Sequence, residues 1–150
     1  MSGSVKRGVC VIASTLLLSG ALADAPVSAQ ETGVVARDAW VRVPLPSKDE
    51  TALYLALENR GAQRRAVVAV SSDAAASAEM HEMRMSGKMM AMLPIAQIAI
   101  PAHGKTELRP GGLHIMLFGL KTRPGIGDSI HVTLTLDDGS RISTTATVRK

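Results

Sequence analysis

The sequence predicts an all-β domain, either an antiparallel β-sandwich or a small barrel. Short segments alternate apolar and polar side chains with a period of two, the period of a half-buried strand. Turn-forming groups of Pro, Gly, Asn and Asp separate these segments at intervals of about 8–12 residues, as in sandwiches and barrels. A helical bundle would need apolar stripes with a period of about 3.6 residues, and the sequence does not contain them.

The predicted strand segments are filled by Val, Ile, Leu and Thr, because the sequence has only one Trp, one Tyr and one Phe. Branched aliphatic residues of this kind favour strands. In chain order the segments are Leu53 to Leu57, Val67 to Val70, Ile98 to Ile100, Leu113 to Leu117, Ile130 to Leu136 and Ile142 to Val148. The last two are joined by Asp-Asp-Gly at 137–139, a hairpin turn sequence. Only Ala74 to Ala78 is expected to be locally helical.

The first 29 residues are predicted to be a secretory signal peptide. Two positive charges precede an apolar run of about fifteen residues, Gly8 to Leu22, which is shorter than the roughly 20 residues needed to span a bilayer. Small residues before the end of this region predict cleavage after Ala29, with Ala23 as the alternative. Residues 30–150 then form a single exported domain, without stable membrane insertion.

Composition excludes several kinds of function. Cys10, the only cysteine, lies in the apolar run, too early for a lipoprotein cysteine, and leaves with the signal peptide. The remaining chain can form no disulfide and offers no thiolate to a metal. The net charge of +4 is modest, and no basic patch with stacking aromatics supports nucleic-acid binding. No Ser/His/Asp triad, paired acid set or phosphate loop rises above chance, and an enzyme is not expected.

One stretch is unusually rich in methionine. Residues 79–94 read EMHEMRMSGKMMAMLP and hold six of the eight methionines. A two-residue turn at Ser86-Gly87 would fold the stretch into a hairpin, since Gly tolerates positive φ. The predicted cross-strand pairs, all on one face, are Met85 with Lys88, Met83 with Met90, and His81 with Met92. His81 and Met92 are therefore expected to converge.

A second pair of candidate ligands lies downstream. His114 and Met116 are two residues apart in a strand segment, so both side chains are expected on one face, while Ile115 points into the core. Thioether is a soft ligand and imidazole a borderline one, and together they select Cu(I) over harder ions. Zn²⁺ would prefer thiolate or carboxylate partners. For any single methionine, core filling is the alternative.

The spacing of these four residues, His-x10-Met-x21-His-x-Met, resembles the copper-binding motif of the periplasmic copper chaperones called the PCuAC family. Other blocks resemble that family in the same order and cover nearly all of residues 30–150. They are DAWVR (38–42), ALYLALENRG (52–61), HEM (81–83), PGGLHIMLFGLK (110–121) and GDSIHVTLTLDDG (127–139).

The resemblance implies a cupredoxin-like antiparallel Greek-key β-sandwich that binds one Cu(I) per chain. By position, the ligands would be His81, Met92, His114 and Met116. It further implies a periplasmic metallochaperone, expected as a monomer, that delivers copper to cytochrome oxidase, notably to the CuA centre of subunit II. Sco-type thioredoxin-like proteins would be its companions. Because the mature chain has no thiol, a separate reductant would be needed at the target.

Three alternatives remain at this point. Copper buffering or resistance without a dedicated oxidase target would use the same residues. A blue-copper electron-transfer protein would need a cysteine ligand, which the mature chain lacks. A β-sandwich without a metal would treat the methionines as packing. The extra methionines Met83, Met85 and Met90 are interpreted as a relay, as alternative ligands or as hydrophobic cover.

Overall fold

A computed structural model of the protein describes residues 33–150, which form ten β-strands. The strands are β1 (Val34–Arg42), β2 (Thr51–Asn59), β3 (Arg65–Ser72), β4 (Ala75–Ser86), β5 (Met89–Pro94), β6 (Ile98–Ile100), β7 (Lys105–Leu108), β8 (Leu113–Leu120), β9 (Ser129–Leu136) and β10 (Arg141–Arg149). The predicted signal peptide, residues 1–29, lies outside the described residues. The described part of the chain contains no helix long and apolar enough to cross a membrane.

The strands form a cupredoxin-like β-sandwich, which confirms the predicted fold class. Neighbouring strands follow the order β5-β4-β8-β2-β1-β10-β9-β3-β6, and β7 pairs with β2. All these pairs are antiparallel except β1 with β10, which is parallel. Local patterning cannot reveal that pair, because parallel strands are never joined by a short turn.

The core between the layers is aliphatic. Leu53, Leu55 and Leu57 of β2 are at most 2% exposed, and Ile130, Val132, Leu134 and Leu136 of β9 at most 3%. These are the alternating residues that the sequence pattern predicts as inward-facing. Burial of this branched aliphatic set is the main stabilising contribution to the fold.

Strand β1 bends in its middle. A β-bulge lies between Arg37 and Trp40, where Asp38 adopts a φ of 51°. Bulges redirect the side chains that follow them. Beyond the bend, Trp40 pairs with Thr147 of β10, and its ring lies 4.5 Å from that of Tyr54, centroid to centroid.

Both predicted hairpins form, but only one has the predicted turn. The turn at 137–139 joins β9 to β10 as predicted, with Gly139 at a φ of 81°. The methionine hairpin forms, but its turn is Gly87-Lys88 instead of Ser86-Gly87. Gly87 has a φ of 64°, and glycine at the first turn position with positive φ is the type II′ arrangement.

This turn changes the predicted register. Met85 lies opposite Met90, Met83 opposite Met92, and His81 opposite Pro94. The predicted pairing of His81 with Met92 is therefore wrong by two residues. Because side chains alternate with a period of two, a shift of two leaves every side chain on its predicted face.

The helical prediction for Ala74 to Ala78 is wrong. Residues from Ala75 onward belong to β4, where Ala75 pairs with Leu120 and Ala78 with Leu117 of β8. Ladder pairing and burial of Ala75 override the local preference of alanine for helix.

Candidate metal centre

The neighbouring strands β4 and β8 place two histidines side by side on one face of the sheet. His81 and His114 are directly opposite in the register. Their ring centroids are 5.8 Å apart with an interplanar angle of 75°. Both residues are buried, with relative exposures of 8% and 4%, so two imidazoles share one desolvated space.

His114 is fixed by a backbone contact. Its Nδ1 lies 3.0 Å from the carbonyl oxygen of Gly112. Because a carbonyl oxygen only accepts hydrogen bonds, Nδ1 carries the hydrogen and Nε2 keeps its lone pair. The contact therefore both orients the ring and selects the tautomer, as outer-shell contacts of metal-binding histidines commonly do.

His81 is fixed through its other ring nitrogen. Its Nε2 lies 3.0 Å from Oε2 of Glu79, so with an ionised carboxylate Nε2 carries the hydrogen. The remaining nitrogen, Nδ1, is buried and has no hydrogen-bond partner. A buried polar atom without a partner costs about 1–3 kcal/mol. A metal ion that binds this lone pair would offset that cost.

A cavity of about 260 Å³ adjoins the histidine pair. Its lining residues are Arg42, Ala52, Tyr54, Met83, Met92, Pro110, Gly111, His114 and Met116. Three of the four predicted ligands, Met92, His114 and Met116, therefore meet at one cavity. His81 does not line the cavity, but its ring is in contact with the ring of His114, which does.

The two methionine ligands differ in their exposure to solvent. Met116 is 9% exposed, while Met92 is 47% exposed. Met116 is thus held among buried groups, and Met92 is reachable from solvent. Such a site can retain an ion on its buried side and still present it to another molecule.

Sequence reasoning missed the groups that support the ligands. Glu79 lies two residues before His81 on the same strand face, a spacing that could have indicated its contact. Tyr54, whose ring centroid is 6.4 Å from that of His114, gave no such signal. Arg42 lines the cavity because β2 pairs with both β1 and β8. These strands are far apart in the sequence, so no local pattern indicates the contact.

The donor set around the cavity is soft and neutral. Within residues 33–150, no group of three or more His, Cys, Asp or Glu side chains is arranged to hold a metal ion. The convergent donors are instead two imidazoles and several thioethers. This combination suits a soft monovalent ion such as Cu(I).

Sequence comparison identifies relatives of the chain. The family model called LpqE-like, described as "Putative lipoprotein LpqE-like", matches residues 34–148. A protein of Leifsonia xyli subsp. xyli (strain CTCB07), named "Putative lipoprotein Lxx21020", is 36% identical over 140 residues. The match spans 89% of this chain and 83% of the relative.

Structural comparison finds solved domains of the same fold. The apo PCuAC domain of PmoF1 has a TM-score of 0.67 at 21% identity, over 78% of this chain and 93% of that domain. The copper-bound PCuAC domain of PmoF2 has a TM-score of 0.66 at 19% identity, over 78% and 92%. The solution structure of CuI-DR1885 from Deinococcus radiodurans has a TM-score of 0.64 at 32% identity, over 83% and 82%.

Proposed function

The chain belongs to the LpqE-like family, and we propose that it is an exported Cu(I) carrier. It binds one Cu(I) per chain through His81, Met92, His114 and Met116. The observation that carries the proposal is the histidine pair. Two buried rings lie edge to face at 5.8 Å, and each has a free nitrogen, Nδ1 of His81 and Nε2 of His114. The methionine sulfurs of the adjoining cavity complete the set.

The comparisons support the choice of ion. A relative with 32% identity has a solution structure of its CuI form. The PmoF2 domain of the same fold has a copper-bound structure. These names describe those proteins, and the donor set here gives an independent chemical reason for the same ion.

The ligands suit transfer more than permanent storage. All four are neutral, so they compensate the charge of the ion only weakly. Met92 is half exposed and can be displaced first by a ligand of the acceptor. Because the ion arrives and leaves as Cu(I), the carrier itself performs no net chemical reaction.

The proposed place of action is the periplasm, after removal of residues 1–29. The proposed acceptor is a copper site of cytochrome oxidase, in particular the CuA centre of subunit II. Cys10 is the only cysteine of the sequence, so a Sco-type thioredoxin-like partner is expected to supply the thiol chemistry. A lipid anchor at Cys10 is not proposed, because Cys10 precedes most of the apolar run.

Competitive Cu(I) titration tests the binding site. A Met92→Leu, Met116→Leu double variant keeps side-chain volume and removes two sulfurs, so Cu(I) affinity should fall strongly. Met89→Leu is the matched control, because Met89 is 74% exposed on the opposite face of the same hairpin and should not change affinity. Equal affinity of the double variant and the wild type would overturn the assignment.

A deletion strain tests the acceptor. Loss of oxidase activity at low copper, restored by added copper, supports delivery to the oxidase. Copper sensitivity with normal oxidase activity would instead support the alternative function, buffering without a dedicated target.

A further inference from the structure

The outer half of the β4–β5 hairpin exposes methionines that packing does not explain. Met85 is 62% exposed and Met90 50% exposed, and neither belongs to the hydrophobic core. Methionine commonly fills irregular gaps in cores, but at least half of the surface of each of these residues is exposed. Packing in the core therefore does not account for them.

The register arranges four sulfurs as two cross-strand pairs. Met83 lies opposite Met92, and Met85 lies opposite Met90. Directly opposed residues have Cβ atoms about 4.5–5.5 Å apart, and successive pairs on one face are separated by about 6.5–7 Å along the strand. These four residues, here called the methionine ladder, lie on the same face as His81.

The ladder is continuous with the candidate metal centre. Met83 and Met92 line the same cavity as His114 and Met116. Met85 and Met90 form the next pair toward the Gly87-Lys88 turn. Met83 therefore lies between the buried ligands and the exposed pair.

The outer pair of the ladder, Met85 and Met90, presents only thioether sulfurs to a metal ion. The ion pair between Glu82 and Arg84, 2.6 Å from Oε2 to Nε, belongs to the opposite face by strand alternation. A site without carboxylate, thiolate or imidazole has little attraction for Zn²⁺ or Ca²⁺. Soft monovalent ions are the ones that thioethers bind.

We infer that Met83, Met85 and Met90 form a second Cu(I) site, weaker than the inner one, through which the ion enters and leaves. The direction of transfer rests on the proposed function, while the second site itself does not. In the transfer step, bonds from copper to the sulfurs of Met85 and Met90 break as bonds to Met92 and His114 form. The bond to Met83 then breaks as bonds to His81 and Met116 form. The ion stays Cu(I), so no electron moves.

Methionine methyl NMR tests the inference directly. Protein labelled with ¹³C at the methionine methyl groups is titrated with Cu(I) under anaerobic conditions. The first equivalent should shift the signals of Met92 and Met116. The second equivalent should shift those of Met83, Met85 and Met90.

Two variants separate the outer site from the inner one. A Met85→Leu, Met90→Leu variant should bind the first equivalent as the wild type does, lose the second, and load more slowly from a small-molecule Cu(I) donor. The Met92→Leu, Met116→Leu variant should still shift Met83, Met85 and Met90 on addition of Cu(I). Met89→Leu, on the opposite face, should keep both equivalents.

The outcomes distinguish the two proposals. If Met83, Met85 and Met90 do not shift in either the wild type or the inner-site variant, the second site is refuted while the carrier function stands. If the first equivalent leaves the methyl signals of Met92 and Met116 unshifted, the proposed inner site is refuted. The second site is then still decided by whether the signals of Met83, Met85 and Met90 shift.

Discussion

His81 and His114 lie opposite each other on β4 and β8, with ring centroids 5.8 Å apart. Each ring is held by a different contact, to Glu79 for His81 and to the Gly112 carbonyl for His114. These contacts leave one lone pair free on each ring.

Glu79 is expected to be a positioning residue for His81. Glu79→Ala removes the acceptor of Nε2–H, so the ring loses its fixed tautomer and orientation. Loss of such an outer partner typically weakens metal affinity by about 10–100-fold. Competitive Cu(I) titration measures the affinity, and ¹⁵N NMR of the imidazole reports the tautomer.

Glu82→Ala is the control for this prediction, because Glu82 pairs with exposed Arg84 on the other face. Its Cu(I) affinity and the His81 tautomer should match the wild type. An unchanged tautomer in Glu79→Ala would contradict the positioning role.

His81→Leu should raise the stability of the copper-free protein. The substitution replaces a buried ring with an unpartnered Nδ1 by an apolar side chain of similar size. Removing such an atom recovers up to about 1–3 kcal/mol. Urea denaturation measures the free energy of unfolding, and thermal unfolding with and without Cu(I) should show that the stabilisation by copper is lost.

A lower free energy of unfolding in copper-free His81→Leu would mean that the ring is needed for packing. The prediction would then fail, even if copper binding were also lost.

Gly119→Ala should destabilise the protein. Gly119 has a φ of 64°, and a Cβ there would lie 2.9 Å from Cβ of Ala76. The left-handed conformation alone costs a residue with a side chain about 1–2 kcal/mol, and the close approach adds to it. Chemical denaturation measures the loss.

A double-mutant cycle with Ala76→Gly separates the two causes. The second substitution removes the clash and leaves the backbone strain, so it should recover part of the loss. Full recovery, or none, would contradict this account.

The carboxyl group of Glu58 should titrate below its ordinary pKa of 4.5. Its hydrogen bond from Arg37, at 2.8 Å, is the largest cause, and that from Arg60, at 3.1 Å, is the next. Because folding lowers this pKa, the contribution to stability is present above pH 4.5 and is lost as the pH falls through the folded pKa. NMR titration of the side-chain carboxyl carbon measures the value.

Arg37→Ala should raise the pKa of Glu58, whereas Arg84→Ala, which affects a different carboxylate, should leave it unchanged. A pKa of Glu58 that is the same with and without Arg37 would contradict the assigned cause.

Period-two patterning was sufficient to predict the faces of the methionine hairpin but not its register. Turns at Ser86-Gly87 and at Gly87-Lys88 both use the same glycine, and they differ by two residues in register. The alternation of side chains does not choose between them, since both keep His81, Met83 and Met85 on one face. The choice depends on the geometry of the type II′ turn and on the pairing of β4 with β8.

The sequence by itself determined the strand-forming segments, the absence of a thiol from residues 30–150 and the soft character of the donors. Those properties depend on residue type and on a local period of two. Only the tertiary structure decided that His81 faces His114 instead of Met92, and that Glu79 leaves Nδ1 of His81 buried and free. These relationships depend on β8 pairing beside β4 from more than thirty residues away, and such long-range register is fixed by burial of the whole sheet, not by any local pattern.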